Sequence, residues 1–177
     1  MERREFMRLG AAGAGAWAIT RTTGCTPAGG PVTEAFGQGV ASGLHSDSAV
    51  VLWTRVEPSI APVAAVQWRV STTKDRSSVV ASGTAPVVGD SDFTVKVLVE
   101  GLDPDRSYWY QFSTPAAQSP IGRARTLPGA STDPSSLRLA FASCQSFATG
   151  FYGAWRDVAA RDLDAVVFLG DYIYESP

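Results

Sequence analysis

Cys144, Asp171, Tyr172 and Tyr174 are the side chains whose types and spacing are best suited to holding a cation. Each closes a short apolar run: residues 137–142 lead to the cysteine, and residues 165–169 lead to the aspartate and the two tyrosines. A carboxylate can bridge two hard cations, a thiolate holds a softer or trivalent ion, and a phenolate suits a strongly Lewis-acidic metal such as ferric iron. Two metals a few ångströms apart can clamp the oxygens of a phosphate ester during in-line attack by a bound hydroxide. Taken singly the residues have plainer readings. Cys144 reads equally well as a buried core thiol, and Gly170-Asp171 after a strand as a turn or a helix cap, since short motifs are weak alone.

Positioning such a group requires the flanking elements. Apolar runs without polar alternation suit parallel strands buried on both faces. Between them Phe151, Trp155, Val158 and Ala159 recur at helical spacing, with Ser146 or Thr149 as the N-cap. A strand, a crossover helix and a second strand pack right-handed and leave both carboxyl ends on one edge of the sheet, where open α/β folds place their ligands. If the two strands are neighbours, Cys144 and Asp171 come close in space.

Three strings carry a family resemblance: Ala142-Ser143-Cys144-Gln145, Gly150-Phe151-Tyr152-Gly153-Ala154-Trp155-Arg156 and Leu169-Gly170-Asp171-Tyr172-Ile173-Tyr174-Glu175. They resemble the opening of the metallophosphatase domain of PhoD-type alkaline phosphatases and phosphodiesterases. The Asp171-x-x-Tyr174 spacing is also similar to that of the Asp and Tyr metal ligands of purple acid phosphatases. The resemblance implies a site for Fe3+ and Ca2+ in which Cys144, Asp171 and Tyr174 are the iron ligands, Asp171 bridges to calcium, and a metal-bound water of lowered pKa attacks a phosphate ester. Where many metallophosphoesterases carry Asp-x-His, this chain has Ser143-Cys144-Gln145, as the PhoD-type enzymes do. Tyr172 then reads as structural, with an exchange of roles between Tyr172 and Tyr174 left open.

The 177 residues, 45% hydrophobic and 18% charged, describe an ordinary globular protein with length for one full domain and part of another. A net charge of -2 and the lack of a basic stripe argue against a nucleic-acid-binding surface. Arg3-Arg4-Glu5-Phe6-Met7-Arg8-Leu9 resembles the twin-arginine export signal; a basic surface helix is the plainer reading. The apolar run after it, residues 10–19, is too short to span a bilayer. The resemblance implies recognition by the twin-arginine export machinery and delivery, already folded, to the periplasm, the exterior or the cell surface. Cys25, in Thr22-Thr23-Gly24-Cys25, is either cleaved away or serves as a lipid anchor, although Thr22 stands where an acylation box usually has leucine. Cys144 is then unpaired in an oxidising compartment, where coordination to a metal would protect it.

Residues 1–31 are read as signal and linker, 32–127 as a β-sandwich domain, 128–136 as a hinge and 137–177 as the start of the metallophosphatase domain. Strands are expected at 38–41, 49–56, 64–71, 79–86, 93–99, 108–114 and 121–126, separated by Asp, Gly, Pro and Ser clusters. Short strands at this spacing suggest an immunoglobulin-like or fibronectin type III-like sandwich. Trp53 is expected between its sheets, and Tyr108 to make a tyrosine-corner hydrogen bond. Gly39-Val40-Ala41-Ser42-Gly43 and the string from Asp47 to Arg55 resemble the entry of the PhoD-type N-terminal domain, with Gly43-Leu44-His45 standing where Gly-Asp-Pro is usual. His45, the only histidine, reads as an exposed turn residue, having no second imidazole with which to share a metal.

The expected fold class is therefore an all-β sandwich followed by the first βαβ unit of an α/β metallophosphoesterase domain. That unit cannot bury both faces by itself, and the further Asp, Asn and His ligands of a two-metal site do not appear. The chain accordingly reads as the N-terminal part of an exported phosphatase or phosphodiesterase, catalytically silent by itself. A secreted β-sandwich module binding a cell-surface polymer or protein is the alternative. A redox role for Cys144 lacks a nearby second cysteine.

Overall fold

In the computed structural model the described residues are 34–59 and 62–175. The arginine-rich segment 3–9, the apolar run 10–19 and Cys25 lie outside them. Seven strands build the sandwich: β1 (Val40–Leu44), β2 (Val50–Arg55), β3 (Ala65–Ser71), β4 (Val79–Pro86), β5 (Thr94–Val99), β6 (Ser107–Ser113) and β7 (Gly122–Arg125). They form two antiparallel sheets, ordered β1-β2-β5 and β4-β3-β6-β7, which is the fibronectin type III-like arrangement.

The period-two side-chain alternation of a strand decides which residues meet between the sheets. Val50, Leu52, Val95, Val97 and Val99 point inward from one sheet; Val66, Val70, Tyr108, Tyr110 and Phe112 point inward from the other. Fully burying a side chain of this size contributes roughly 1.5–3 kcal/mol. The same alternation corrects the expectation for Trp53: the register that buries Val50, Leu52 and Val56 turns Trp53 to the outer face, and Leu52 fills the centre at 0% exposure. Tyr108 does make the corner bond, its hydroxyl accepting the Asp103 N–H at 2.8 Å. Opposite Gly122 the Tyr110 ring lies so close that a Cβ there would sit 2.2 Å from Cζ. Glycine at 122 is what lets β7 approach β6. His45 is exposed in the turn after β1.

The C-terminal unit is a βαβ: β8 (Leu139–Ala142), α1 (Gly153–Ala160) and β9 (Ala165–Phe168), the strands parallel with Leu139 opposite Ala165 and Ala142 opposite Phe168. Its helix differs from expectation at the start. Tyr152 is the N-cap, in left-handed backbone at φ 51° and without a side-chain cap. Ser146 and Thr149 instead bond each other at 2.7 Å in the loop, and Phe151 stands 92% exposed ahead of the helix. Trp155 and Val158, one turn apart, are half-buried, and Trp155 stacks on Phe168 with ring centroids 5.5 Å apart. Burial of the strands on both faces is not found: α1 lies on the face carrying Phe168, whereas Leu139, Phe141 and Val167 on the other face are exposed. No helix among the described residues is long and apolar enough to cross a membrane.

Arginines on β7 tie the two units together. Arg123 donates to Asp162 at 3.2 Å and to the Leu163 carbonyl at 2.7 Å, and Arg125 donates to Asp164 at 2.8 Å and to Asp105 at 2.6 Å. Asp164 also accepts the Arg138 N–H at 2.7 Å, and its own N–H returns to the Arg138 carbonyl at 2.8 Å. The start of β9 is therefore fixed both to β8 and to the sandwich. A cavity of about 860 Å³ lies along this junction, lined by Trp109, Arg123, Arg161 and Phe168 among others.

Candidate metal centre

Beyond the last residues of β8 and β9 the two chains go on pairing. Leu169 N–H donates to the Ala142 carbonyl at 2.9 Å, Cys144 N–H to the Asp171 carbonyl at 2.7 Å, Tyr174 N–H to the Gln145 carbonyl at 2.6 Å, and Phe147 N–H back to the Tyr174 carbonyl at 2.8 Å. This cross-linking turns the strand ends into facing loops. Cys144 and Asp171 sit in the left-handed region, at φ 58° and 43°, and Gly170 between β9 and Asp171 at φ 106°. A non-glycine residue held there costs of order 1 kcal/mol or more, and such positions cluster at functional sites. Both kinks bend the chain just where the candidate ligands stand.

The structure brings Cys144, Asp171 and Tyr174 together. Cys144 Sγ is 3.7 Å from Asp171 Oδ2. The Tyr174 hydroxyl interacts first with the Asp171 carboxylate and then with the Cys144 sulfur, and these partners push the phenol up to about 12. Tyr172 goes elsewhere: its ring packs on Phe168, with centroids 4.6 Å apart. All four side chains are exposed at one edge of the unit, Cys144 as a free thiol rather than a core residue.

Whether these groups suit a metal follows from the donor set. One sulfur and two kinds of oxygen converge from facing loops, and their charged forms repel one another. The raised Tyr174 phenol reflects that crowding, and a cation among the three would offset it. The set fits a trivalent or strongly Lewis-acidic ion. Among the described residues no three His, Cys, Asp or Glu side chains cluster, so Tyr174 is indispensable to any such set.

Two supporting features escape a reading by motif. Gln145 donates through Nε2 to the Tyr172 carbonyl at 3.1 Å while its Oε1 accepts the Trp155 indole N–H, so α1 is anchored to both loops through one amide. The adjacency of Gln145 to Cys144 was its only signal. The Arg123/Arg125 pair and the Asp162/Asp164 pair are the other. Each has its charges two residues apart, the spacing that aims both members to one side of an extended chain, and this matched pattern is visible in the sequence.

Comparison with known proteins covers both units. Residues 24–128 match the family model described as PhoD-like phosphatase, N-terminal domain, and residues 139–177 match that described as PhoD-like phosphatase. Over 147 residues the chain is 37% identical to alkaline phosphatase D of Bacillus subtilis (strain 168), an overlap of 79% of this chain and 25% of that protein. A solved structure of PhoD superposes with a TM-score of 0.76 at 36% identity, over 81% of this chain and 29% of that one. The chain thus spans a quarter of the length of the curated relative it matches.

Proposed function

The chain belongs to the PhoD-like phosphatase family, and from that premise we propose that it supplies one side of the metal site of an exported phosphatase or phosphodiesterase acting on phosphate esters. In this reading Cys144, Asp171 and Tyr174 would hold ferric iron, and Asp171 would also serve calcium. The convergence of these three side chains on paired loops, with sulfur and carboxylate 3.7 Å apart, is the observation that carries it.

When bound, the metals supply Lewis acidity toward a phosphate oxygen and a hydroxide nucleophile near neutral pH. The chain's own residues set the frame for that chemistry. The Cys144–Asp171 backbone bond fixes the spacing of thiol and carboxylate. The Asp171 carboxylate beside the Tyr174 hydroxyl favours its protonated form. Gln145 and Trp155 keep the second loop from drifting away from α1. Residues 3–9 support passage through the twin-arginine machinery, and Cys25 is removed or lipidated on the way. The chain spans a quarter of the length of its curated relative, and in this reading it contributes ligands to the site rather than carrying out turnover by itself.

Ferric iron offered to the chain from a weak chelator tests this reading. One equivalent should bind and produce a visible phenolate-to-iron absorption. Cys144→Ala should lower the affinity about tenfold or more, as removing a metal-site partner does, and Tyr174→Phe should abolish the colour. Full iron occupancy in the Cys144→Ala variant would remove Cys144 from the site, and colour persisting in Tyr174→Phe would remove Tyr174.

A further inference from the structure

Four hydrogen bonds reach the backbone of residues 171–174 from the facing loop. Cys144 N–H donates to the Asp171 carbonyl, the Gln145 carbonyl accepts from Tyr174 N–H, and Phe147 N–H donates to the Tyr174 carbonyl. These three are backbone bonds and depend on the path of the chain, not on side-chain type. The fourth is made by a side chain: Gln145 Nε2 donates to the Tyr172 carbonyl at 3.1 Å. It grips the loop between the carboxylate at 171 and the phenol at 174. Tyr174 is 45% exposed, so the course of its backbone does more than packing to aim its hydroxyl.

A glutamine amide can in general turn over and exchange its donor for its acceptor. Neither neighbour of Gln145 permits that. An indole N–H only donates and a carbonyl only accepts, so Oε1 must face Trp155 and Nε2 must face Tyr172. Trp155 is held in turn by its ring, which stacks on Phe168 with planes 28° apart, and Phe168 packs on Tyr172 with centroids 4.6 Å apart. Helix α1 therefore reaches residue 172 by two routes, through the row of three rings and through the Gln145 amide.

We propose that Gln145 and Trp155 are positioning residues for the metal edge: by gripping the Tyr172 carbonyl they set how Asp171 and Tyr174 meet Cys144. The proposal rests on the metal reading above for its purpose and on these hydrogen bonds for its means. Groups that orient metal ligands commonly matter about 10- to 100-fold in affinity without touching the ion. Two consequences follow from linkage: loosening α1 weakens the hold on a trivalent ion, and an ion at the edge tightens α1 by the same factor.

The test compares the full chain with Gln145→Leu, Gln145→Glu and Trp155→Phe, the last of which keeps a ring against Phe168. Without metal, exchange of the Tyr174 and Phe147 amides should speed up about tenfold in Gln145→Leu, the loss of one hydrogen bond. Leu169 N–H, bonded ahead of the loops, should keep its rate, which shows that the unit is still folded. Gln145→Glu at pH 7 keeps the shape and the acceptor for the indole but sets an oxygen against the Tyr172 carbonyl. Its exchange should rise at least as far as in Gln145→Leu, whereas a side chain that only filled space would tolerate the change. With ferric iron offered from a weak chelator, Gln145→Leu and Trp155→Phe should bind about tenfold or more weakly. Their phenolate-to-iron absorption should move in wavelength without vanishing, a response that loss of packing alone would not give. Unchanged exchange in Gln145→Leu, parent-like exchange in Gln145→Glu, or parent-like iron affinity and absorption would each overturn the proposal. A parent chain that takes up no iron while the exchange results hold would count against the metal reading and leave the Gln145 grip standing.

Discussion

Asp162 and Asp164 lie two residues apart, carry the same charge and each face Arg138 and one arginine of β7, yet their removal should have different consequences. The Asp164 side chain is 13% exposed; it accepts Arg125 Nη1 at 2.8 Å and the Arg138 backbone N–H at 2.7 Å. A hydrogen bond to a charged group contributes about 1.5–3 kcal/mol when shielded from water. Arg125 is one-third exposed and keeps Asp105 as a partner, so its share falls to about 1 kcal/mol. Arg138 is exposed, so water can take up its N–H, and losing that bond adds about 0.5–1.5 kcal/mol. Asp164→Ala should therefore cost about 1.5–2.5 kcal/mol, felt where β8 and β9 meet. Asp162 is 65% exposed, and its partners Arg123 and Arg138 are 44% and 51% exposed. Asp162→Ala should cost about 0–1 kcal/mol, and less still in high salt. Amide hydrogen exchange in the full chain separates the two. In Asp164→Ala, protection of the β8 and β9 amides and of Leu169 N–H should fall by up to about 10- to 60-fold at 1.4 kcal/mol per decade. The sandwich strands should keep theirs. Equal effects from the two variants, or protection unchanged in Asp164→Ala, would refute the idea that one shielded carboxylate sets the docking of the βαβ unit.

Other consequences can be checked on the same chain. Tyr108→Phe deprives the Asp103 N–H of its acceptor and should lower stability by about 1–2 kcal/mol, read as a lower urea midpoint at unchanged slope. Gly122→Ala puts a Cβ 2.2 Å from Tyr110 Cζ and 2.5 Å from its Oη and should cost about 1–3 kcal/mol by overpacking; the cost should shrink in a Tyr110→Ala background, and an unchanged cost there would mean that the ring is not what obstructs. Burial pushes the Tyr110 phenol up to about 12, against a Ser42 hydrogen bond that lowers it. The unfolded chain, at about 10, ionises first, so the stability Tyr110 contributes is complete below pH 10 and is lost as pH rises from 10 to 12. That loss is about 3 kcal/mol. Urea midpoints should fall more steeply over this range in the parent than in Tyr110→Phe, and parallel curves would count against the assignment.

What the sequence disclosed depended on how local the governing physics was. The seven sandwich strands and the parallel pair were legible because alternation and apolar runs are properties of a few consecutive residues. Trp53 shows where that stops: its size suggested the core, but inward or outward is decided by register, and Val50, Leu52 and Val56 together outweigh one large ring. The helix start was misplaced for a related reason. Ser146 and Thr149 are good caps in isolation, yet each found a partner in the other, and the loop ran on to a left-handed Tyr152 that no propensity would nominate. Cys144, Asp171 and Tyr174 could be nominated by type, but their meeting depends on four backbone bonds beyond the strand ends and on positive φ at two non-glycine residues, neither of which has a composition signal.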